Sequence, residues 1–163
     1  MVSLSLFGSL WMTMSRISGI VSNNYSPINL SHRSSLQRVT GIGGIFFKAN
    51  NVKQQREWYK NHLGIEYADK DGGASFYWRE DEHPEKRGFT VWSIFPSDTK
   101  YFDSSTAPFM MNFRVANLDA LVKQLESEGV KIVGGIEEYE YGRFAWVMDP
   151  EGNRVELWEP PKQ

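Results

Sequence analysis

The chain has 163 residues, a formal net charge of −2 and no cysteine. An apolar fraction of 40% and a charged fraction of 23% suit one globular domain with a packed core, and they argue against global disorder. The composition excludes disulfides, thiolate zinc sites and cysteine nucleophiles, and it indicates no general attraction to nucleic acid or anionic membranes.

The first 39 residues differ in composition from the rest of the chain. They are rich in serine, and no acidic residue occurs before Glu57. Three interpretations stay open for this leader: a disordered or misassigned start with Met12 or Met14 as the true first residue, an organelle transit peptide, or a functional arm. We expect a folded domain over residues 40–161 and, because cysteine is absent, a cytoplasmic protein unless the leader directs import into an organelle.

The first half of the domain predicts one helix between strands. Ile42–Ala49 is β-branched and aromatic, as strands are. Val52–Leu63 has an apolar stripe, a capping asparagine before it and Gly64 after it, which together predict a helix. Three further strands are predicted at Ile65–Ala68, Ala74–Trp78 and Gly88–Phe95.

The same order recurs after a polar connection, Ser97–Ala107, which carries Tyr101 and Phe102. A strand and a helix, Phe109–Val115 and Leu118–Glu128, precede three strands at Val130–Val133, Phe144–Met148 and Arg154–Glu159. The Gly134–Gly142 segment is predicted as a loop whose tyrosines, Tyr139 and Tyr141, form either a mobile lid or a surface-packed cluster.

Strand, helix and three strands therefore occur twice, in modules at about 40–96 and 108–161. One such module exposes a sheet face that it cannot bury alone, so two modules are expected to pair. The sequence predicts an α+β fold in which two β-α-β-β-β modules form a curved, cup-like mixed sheet around a pocket for a small molecule.

Three segments, FFKANN…WYKNHLGIE, NFRV…LDALVKQLESEGV and GRFAWVMDPEGNRVELWEP, resemble the vicinal oxygen chelate superfamily over Thr40–Pro161. That superfamily includes glyoxalase I, bleomycin-resistance proteins and extradiol dioxygenases. The resemblance implies a glyoxalase-like fold, a homodimer and a divalent metal held by the first and last strands of each module. The four ligand positions fall on Gly44, Trp92, Met110 and Glu156. Only Glu156 can ligate a metal well, so no metal cofactor is expected.

The expected function is to bind or sequester an aromatic or amphipathic small molecule in the cup, with no nucleic acid or membrane partner. Glu156 is either a general base or polar anchor, or a structural carboxylate paired with a cup-lining arginine such as Arg114. Two enzyme classes remain as alternatives: a metal-dependent enzyme of the glyoxalase or dioxygenase kind, and a lyase or isomerase that uses Glu156 as its base. When the ligand positions implied by the resemblance are taken to face the cup, strand alternation and loop position predict these ligand-binding residues: Phe46, Trp92, Asn112, Arg114, Tyr141, Arg154, Glu156 and Trp158.

Overall fold

A computed structural model describes residues 36–68, 72–81 and 83–162. Residues 1–35, most of the predicted leader, lie outside the described residues. In chain order the elements are β1 (Val39–Ala49), α1 (Val52–Leu63), β2 (Gly73–Arg79), β3 (Arg87–Pro96), β4 (Phe109–Val115), α2 (Leu118–Ser127), β5 (Ile132–Tyr139), β6 (Gly142–Met148) and β7 (Arg154–Glu159). No helix within these ranges is long and apolar enough to cross a membrane.

The described strands form one seven-stranded mixed sheet with the order β2-β3-β1-β4-β7-β6-β5. The first strands of the two modules, β1 and β4, pair antiparallel in the middle. On either side, β3 runs parallel to β1 and β7 runs parallel to β4. The predicted α+β, glyoxalase-like sheet of two modules is confirmed.

Both helices begin where the local signals predict, and α1 also ends there, whereas α2 ends one residue before its predicted end. The side chain of Asn51 accepts a hydrogen bond from the Gln54 backbone N–H at 3.0 Å, and Gly64 ends α1 with a φ of 68°. Asn117 caps α2 in the same way through the Ala120 N–H at 3.0 Å. Because caps act within four residues, these boundaries can be predicted without tertiary contacts.

Two sequence expectations about strands are wrong. Ile65–Ala68 forms no strand; instead, Ala68 donates its N–H to the Gly73 carbonyl at 2.8 Å. The predicted Gly134–Gly142 loop is mostly strand, because β5 continues to Tyr139 and only two residues connect it to β6. The pairing register between β5 and β6 shifts between Val133 and Glu137, and Gly134 in this stretch has a φ of 75°. The glycines are therefore accommodated at an irregular part of the strand.

The two faces of the sheet have separate apolar cores. One core contains buried side chains of α2 and of strands β4, β6 and β7: Val115, Leu118, Leu121, Ala145, Val147 and Leu157. The other core, on what we call the cup face, is mostly aromatic: Phe46, Phe102, Met110, Phe144, Trp146 and Trp158. The cup face therefore holds the aromatic side chains that a ligand pocket needs.

Candidate functional site

A fully buried carboxylate lies at the centre of the cup face. Glu156 of β7 has 1% of its surface exposed and receives three hydrogen bonds. The Asn112 amide donates to Oε1 at 2.6 Å, and the Trp146 indole N–H donates to Oε2 at 2.8 Å. The Tyr101 hydroxyl also donates to Oε2. Both carboxylate oxygens are therefore satisfied by neutral donors.

The sheet register brings two of these donors to Glu156. Asn112 is its partner on the parallel strand β4, and Trp146 is its partner on the antiparallel strand β6. The Asn112 side chain packs directly against the backbone of Gly43 on β1, and a Cβ at Gly43 would lie 2.0 Å from the Asn112 Oδ1. The third donor, Tyr101, comes from the connection between the modules rather than from a strand.

Burial dominates the electrostatics of this cluster. Desolvation raises the pKa of Glu156, although its three hydrogen bonds and the nearby charge of Arg154 act in the opposite direction. More than a third of Tyr101 is exposed, but its hydroxyl lies against the carboxylate. Burial of that end, together with the charge of Glu156, raises the Tyr101 pKa, so the phenol stays protonated and donates.

Aromatic rings surround the cluster. Tyr101 lies parallel to Phe95, with ring centroids 5.4 Å apart and an interplanar angle of 5°. It meets the Trp146 ring edge-on, with the centroids 6.3 Å apart. Phe102, which is 0% exposed, packs on Phe95 at 5.2 Å and fills the adjacent space. The connection thus supplies two rings to the cup face.

A cavity of about 470 Å³ opens at the end of the cup face near β3 and β7. Phe89 and Trp158, whose centroids are 5.3 Å apart, supply an aromatic wall. The lining side chains include four cations and one acid: Lys86, Arg87, Arg114, Lys162 and Glu80. Glu156 does not line this cavity, although Trp158 lies two residues along the same strand.

Arg114, the arginine suggested as a partner of Glu156, does not pair with it. Its guanidinium contacts Glu80 at 3.1 Å, donates to the Thr40 hydroxyl at 3.1 Å, and lies over the Trp78 ring at 4.5 Å. The partner of Arg114 comes from the chain just after β2, a position that sequence spacing does not reveal.

Of the predicted site residues, Phe46, Asn112, Glu156 and Trp158 lie together on the buried cup face. Four others are more peripheral or structural. The guanidinium of Arg154 lies over the Trp146 ring at 4.9 Å, and Met110 is a buried core residue. The Tyr141 ring, 57% exposed, stacks on Tyr139 at the tip of the β5–β6 hairpin, and the Phe46 ring occupies the space where a side chain at Gly44 would be.

Trp92 lies on the helix-covered face, which corrects its assignment to the cup. Its ring centroid is 5.0 Å from Phe47 and 5.4 Å from Tyr59 of α1. Ile45 of β1 lies between two partners: it pairs with Trp92 on β3 and with Met111 on β4. Met111 pairs in turn with Val155, which precedes Glu156. By sheet pairing, Trp92 therefore corresponds to Val155, whereas the sequence repeat aligned it with Glu156. Because side chains alternate along a strand, this shift of one residue places Trp92 on the opposite face of the sheet.

The residues at the implied metal site do not fit a divalent ion. Gly44 has no side chain, Met110 offers a thioether, Trp92 lies on the other face, and Glu156 engages both oxygens in hydrogen bonds. Across the described ranges, no group of three or more His, Asp or Glu could hold a metal ion. No chemical step on this chain is assigned to a metal.

Sequence reasoning missed Tyr101 and Trp146 as partners of Glu156 and Phe102 as a buried part of the cup face. The signal for the first and third was available, since two adjacent aromatic residues are unusual in a polar connection such as Ser97–Ala107. For Trp146 the useful signal is cross-strand pairing, which requires the register of the β6–β7 hairpin.

The family model of the Glyoxalase/Bleomycin resistance protein/Dioxygenase superfamily matches residues 41–157. A methylmalonyl-CoA epimerase variant from Streptomyces coelicolor, in complex with 2-nitronate-propionyl-CoA, is similar in fold: TM-score 0.56, 16% identity, 77% of this chain and 100% of that chain covered. A methylmalonyl-CoA epimerase in complex with methylmalonyl-CoA and NH4+ has a TM-score of 0.55 and 16% identity, with 76% and 96% covered. No curated protein matches the chain.

Proposed function

The chain belongs to the Glyoxalase/Bleomycin resistance protein/Dioxygenase superfamily, and we propose that it binds planar aromatic small molecules on its cup face without a metal. The observation that carries this proposal is the set of three neutral donors on Glu156. A metal needs free lone pairs from several ligands, whereas this carboxylate is already engaged and its neighbours on the cup face are mainly rings.

The surroundings of Glu156 support an aromatic ligand. Rings prefer offset-stacked or edge-to-face neighbours, and the cup face offers both arrangements at Phe95 and Trp146. The 470 Å³ cavity beside Phe89 and Trp158 has the volume of small-ligand pockets. Its surplus of cations favours a ligand that carries an anionic substituent.

A second candidate function is general acid–base catalysis by Glu156, as a lyase or isomerase would use. The raised pKa of this buried carboxylate favours it, because a base works best when its pKa lies near the operating pH. Under this alternative, E156Q removes turnover while ligand binding persists. Under the binding proposal, E156Q changes affinity alone.

Thermal unfolding after dialysis against EDTA tests the proposal. The probe is 2-naphthoate, a planar aromatic carboxylate. A ligand at a hundredfold excess over its Kd stabilises the folded state by about 2.7 kcal/mol, which amounts to several degrees in Tm. We expect this shift for the wild-type chain and a smaller shift for F89A, since Phe89 lines the cavity.

Trp58→Ala is the matched control, because this α1 side chain is 49% exposed and contacts His62 and Tyr59 rather than the cup face. W58A should keep the full shift. Two results contradict the proposal: no shift with 2-naphthoate in the wild-type chain, or a shift that EDTA abolishes and one equivalent of metal restores.

The homodimer implied by the resemblance and a cytoplasmic location belong to this proposal as well. Light scattering coupled to size exclusion tests the dimer, which has twice the 18.8 kDa mass of the chain. A monomer at micromolar concentration contradicts it. Fractionation of cells that express the full chain tests the compartment.

A further inference from the structure

The Tyr101 side chain reaches the cup face from a connection that bonds mainly to itself. The Asp103 N–H donates to the Lys100 carbonyl at 3.0 Å, and the Ser105 N–H donates to the Phe102 carbonyl at 2.9 Å. The Tyr101 N–H donates to the Thr99 hydroxyl at 3.3 Å. The backbone around Tyr101 thus adds no strand to the sheet, and the residue meets Glu156 through its side chain.

Tyr101 and Phe102 are adjacent but differ in burial. Phe102 is 0% exposed and belongs to the cup-face core, whereas Tyr101 keeps 38% of its surface exposed. Phe102 therefore anchors the connection, whereas Tyr101 is not one of the buried core residues of the cup face. Rotamer changes of partly exposed side chains are fast compared with ligand exchange.

Every contact of the Tyr101 ring is one that a free phenol could make. Phe95 stacks against one face of the ring, Trp146 meets it edge-on, and Glu156 accepts from the hydroxyl. Loss of that hydroxyl leaves Oε2 with only the Trp146 donor. A site built to bond a hydroxyl discriminates strongly against an analogue that lacks it, because a buried polar group is left with a partner missing.

We infer that the ligand of the cup is a phenol, and that Tyr101 is an internal phenol which occupies its place until the ligand displaces it. This inference rests on the proposed function and names the ligand class for the part of the cup face around Glu156, which is separate from the lining of the 470 Å³ cavity. Tyr101 acts as a tethered competitor, so the apparent affinity of a free phenol is reduced by the fraction of molecules in which Tyr101 is bound. Removal of the competitor should therefore tighten binding.

The experiment compares p-cresol, which equals the tyrosine side chain, with 4-methylanisole, which replaces its hydroxyl donor by a methyl ether. Calorimetric titration of the full chain measures both ligands in wild type and in Y101A. We expect wild type to bind p-cresol, and Y101A to bind it at least tenfold more tightly. In Y101A, 4-methylanisole should bind at least tenfold more weakly than p-cresol.

Two further variants complete the design. Trp58→Ala is again the control, since Trp58 on α1 is 49% exposed and contacts Tyr59 and His62 rather than the cup face; W58A should bind p-cresol as wild type does. Y101F keeps the ring and removes the hydroxyl, so it should bind p-cresol several-fold more tightly than wild type even if Y101A does not fold.

The outcomes separate this inference from the proposed function. If wild type binds 2-naphthoate but Y101A and Y101F bind p-cresol no tighter than wild type does, the inference is overturned and the function stands. Equal affinity of Y101A for p-cresol and 4-methylanisole also overturns the inference. Binding of p-cresol to Y101A but not to wild type overturns it as well, because the ligand would then fill a cavity that the substitution created. If no aromatic probe binds either wild type or Y101A, the proposed function itself falls.

Discussion

Gly43→Ala tests whether the close approach of β1 positions the amide that holds Glu156. A Cβ at this position would lie 2.0 Å from Oδ1 of Asn112 and 3.0 Å from Cε3 of Trp158. Asn112 must therefore move, and movement breaks its 2.6 Å hydrogen bond to Glu156. Asn112 and Glu156 are both buried, so water does not readily replace the lost partner.

The expected cost follows from two contributions. Overpacking a filled core costs about 1–3 kcal/mol. A buried carboxylate that loses a hydrogen-bond donor adds about 1–3 kcal/mol. G43A should thus lower the free energy of unfolding by roughly 2–6 kcal/mol, which corresponds to a decrease in Tm on the order of 10 °C.

Gly41→Ala is the matched control on the same strand, because a Cβ there meets nothing within 4 Å. Urea denaturation of G41A should give a free energy of unfolding close to that of wild type. N112A completes a double-mutant cycle, in which G43A should cost much less once the Asn112 side chain is gone. The reasoning is refuted if G43A is as stable as G41A, or if its cost is unchanged in the N112A background.

Three more predictions concern the same cluster. Folding raises the pKa of Glu156, so the folded state binds a proton more tightly than the unfolded state does. The free energy of unfolding of wild type, relative to that of E156Q, should therefore fall as pH rises from the ordinary pKa of glutamate to the raised pKa. The decrease is about 1.4 kcal/mol for each pH unit between those two pKa values. Urea denaturation from pH 4 to 8 measures this difference, and a constant difference contradicts it. W146F removes the 2.8 Å donor to Glu156 and should cost about 1.5–3 kcal/mol by the same measurement, with a smaller cost in the E156Q background. G142A, whose Cβ would lie 2.4 Å from Nε1 of Trp158, should lower Tm clearly more than G134A, where a positive φ is the only penalty; equal losses would argue against this packing.

Local signals account for the parts of the fold that the sequence predicts well. The helix Val52–Leu63 has the predicted bounds, and Leu118–Ser127 ends one residue early. Caps and apolar spacing act within a single turn, so their evidence is complete within a few residues. The strands Phe109–Val115 and Arg154–Glu159 also match, because proline and asparagine residues lie close to both ends of each.

Pairing partners are the information that a single strand lacks. Alignment of the two last strands by sequence predicts that Trp92 faces the cup, but the sheet pairs it with Ile45 and turns it toward α1. A strand alternates at every residue, so an error of one position exchanges the faces. Only the hydrogen-bonded register distinguishes the two alternatives.

The sequence by itself determined that the repeat builds a two-module sheet and that Glu156 is the sole carboxylate among the four implied ligand positions, because residue identity and periodicity suffice for both. Tertiary structure decided what that carboxylate contacts. Asn112 and Trp146 reach it through strand register, and Tyr101 reaches it across a connection 55 residues away in sequence. Trp146 meets Glu156 through the register of one hairpin, whereas Asn112, 44 residues away, and Tyr101 meet it only when the two modules are assembled, and such contacts leave no local pattern in the sequence.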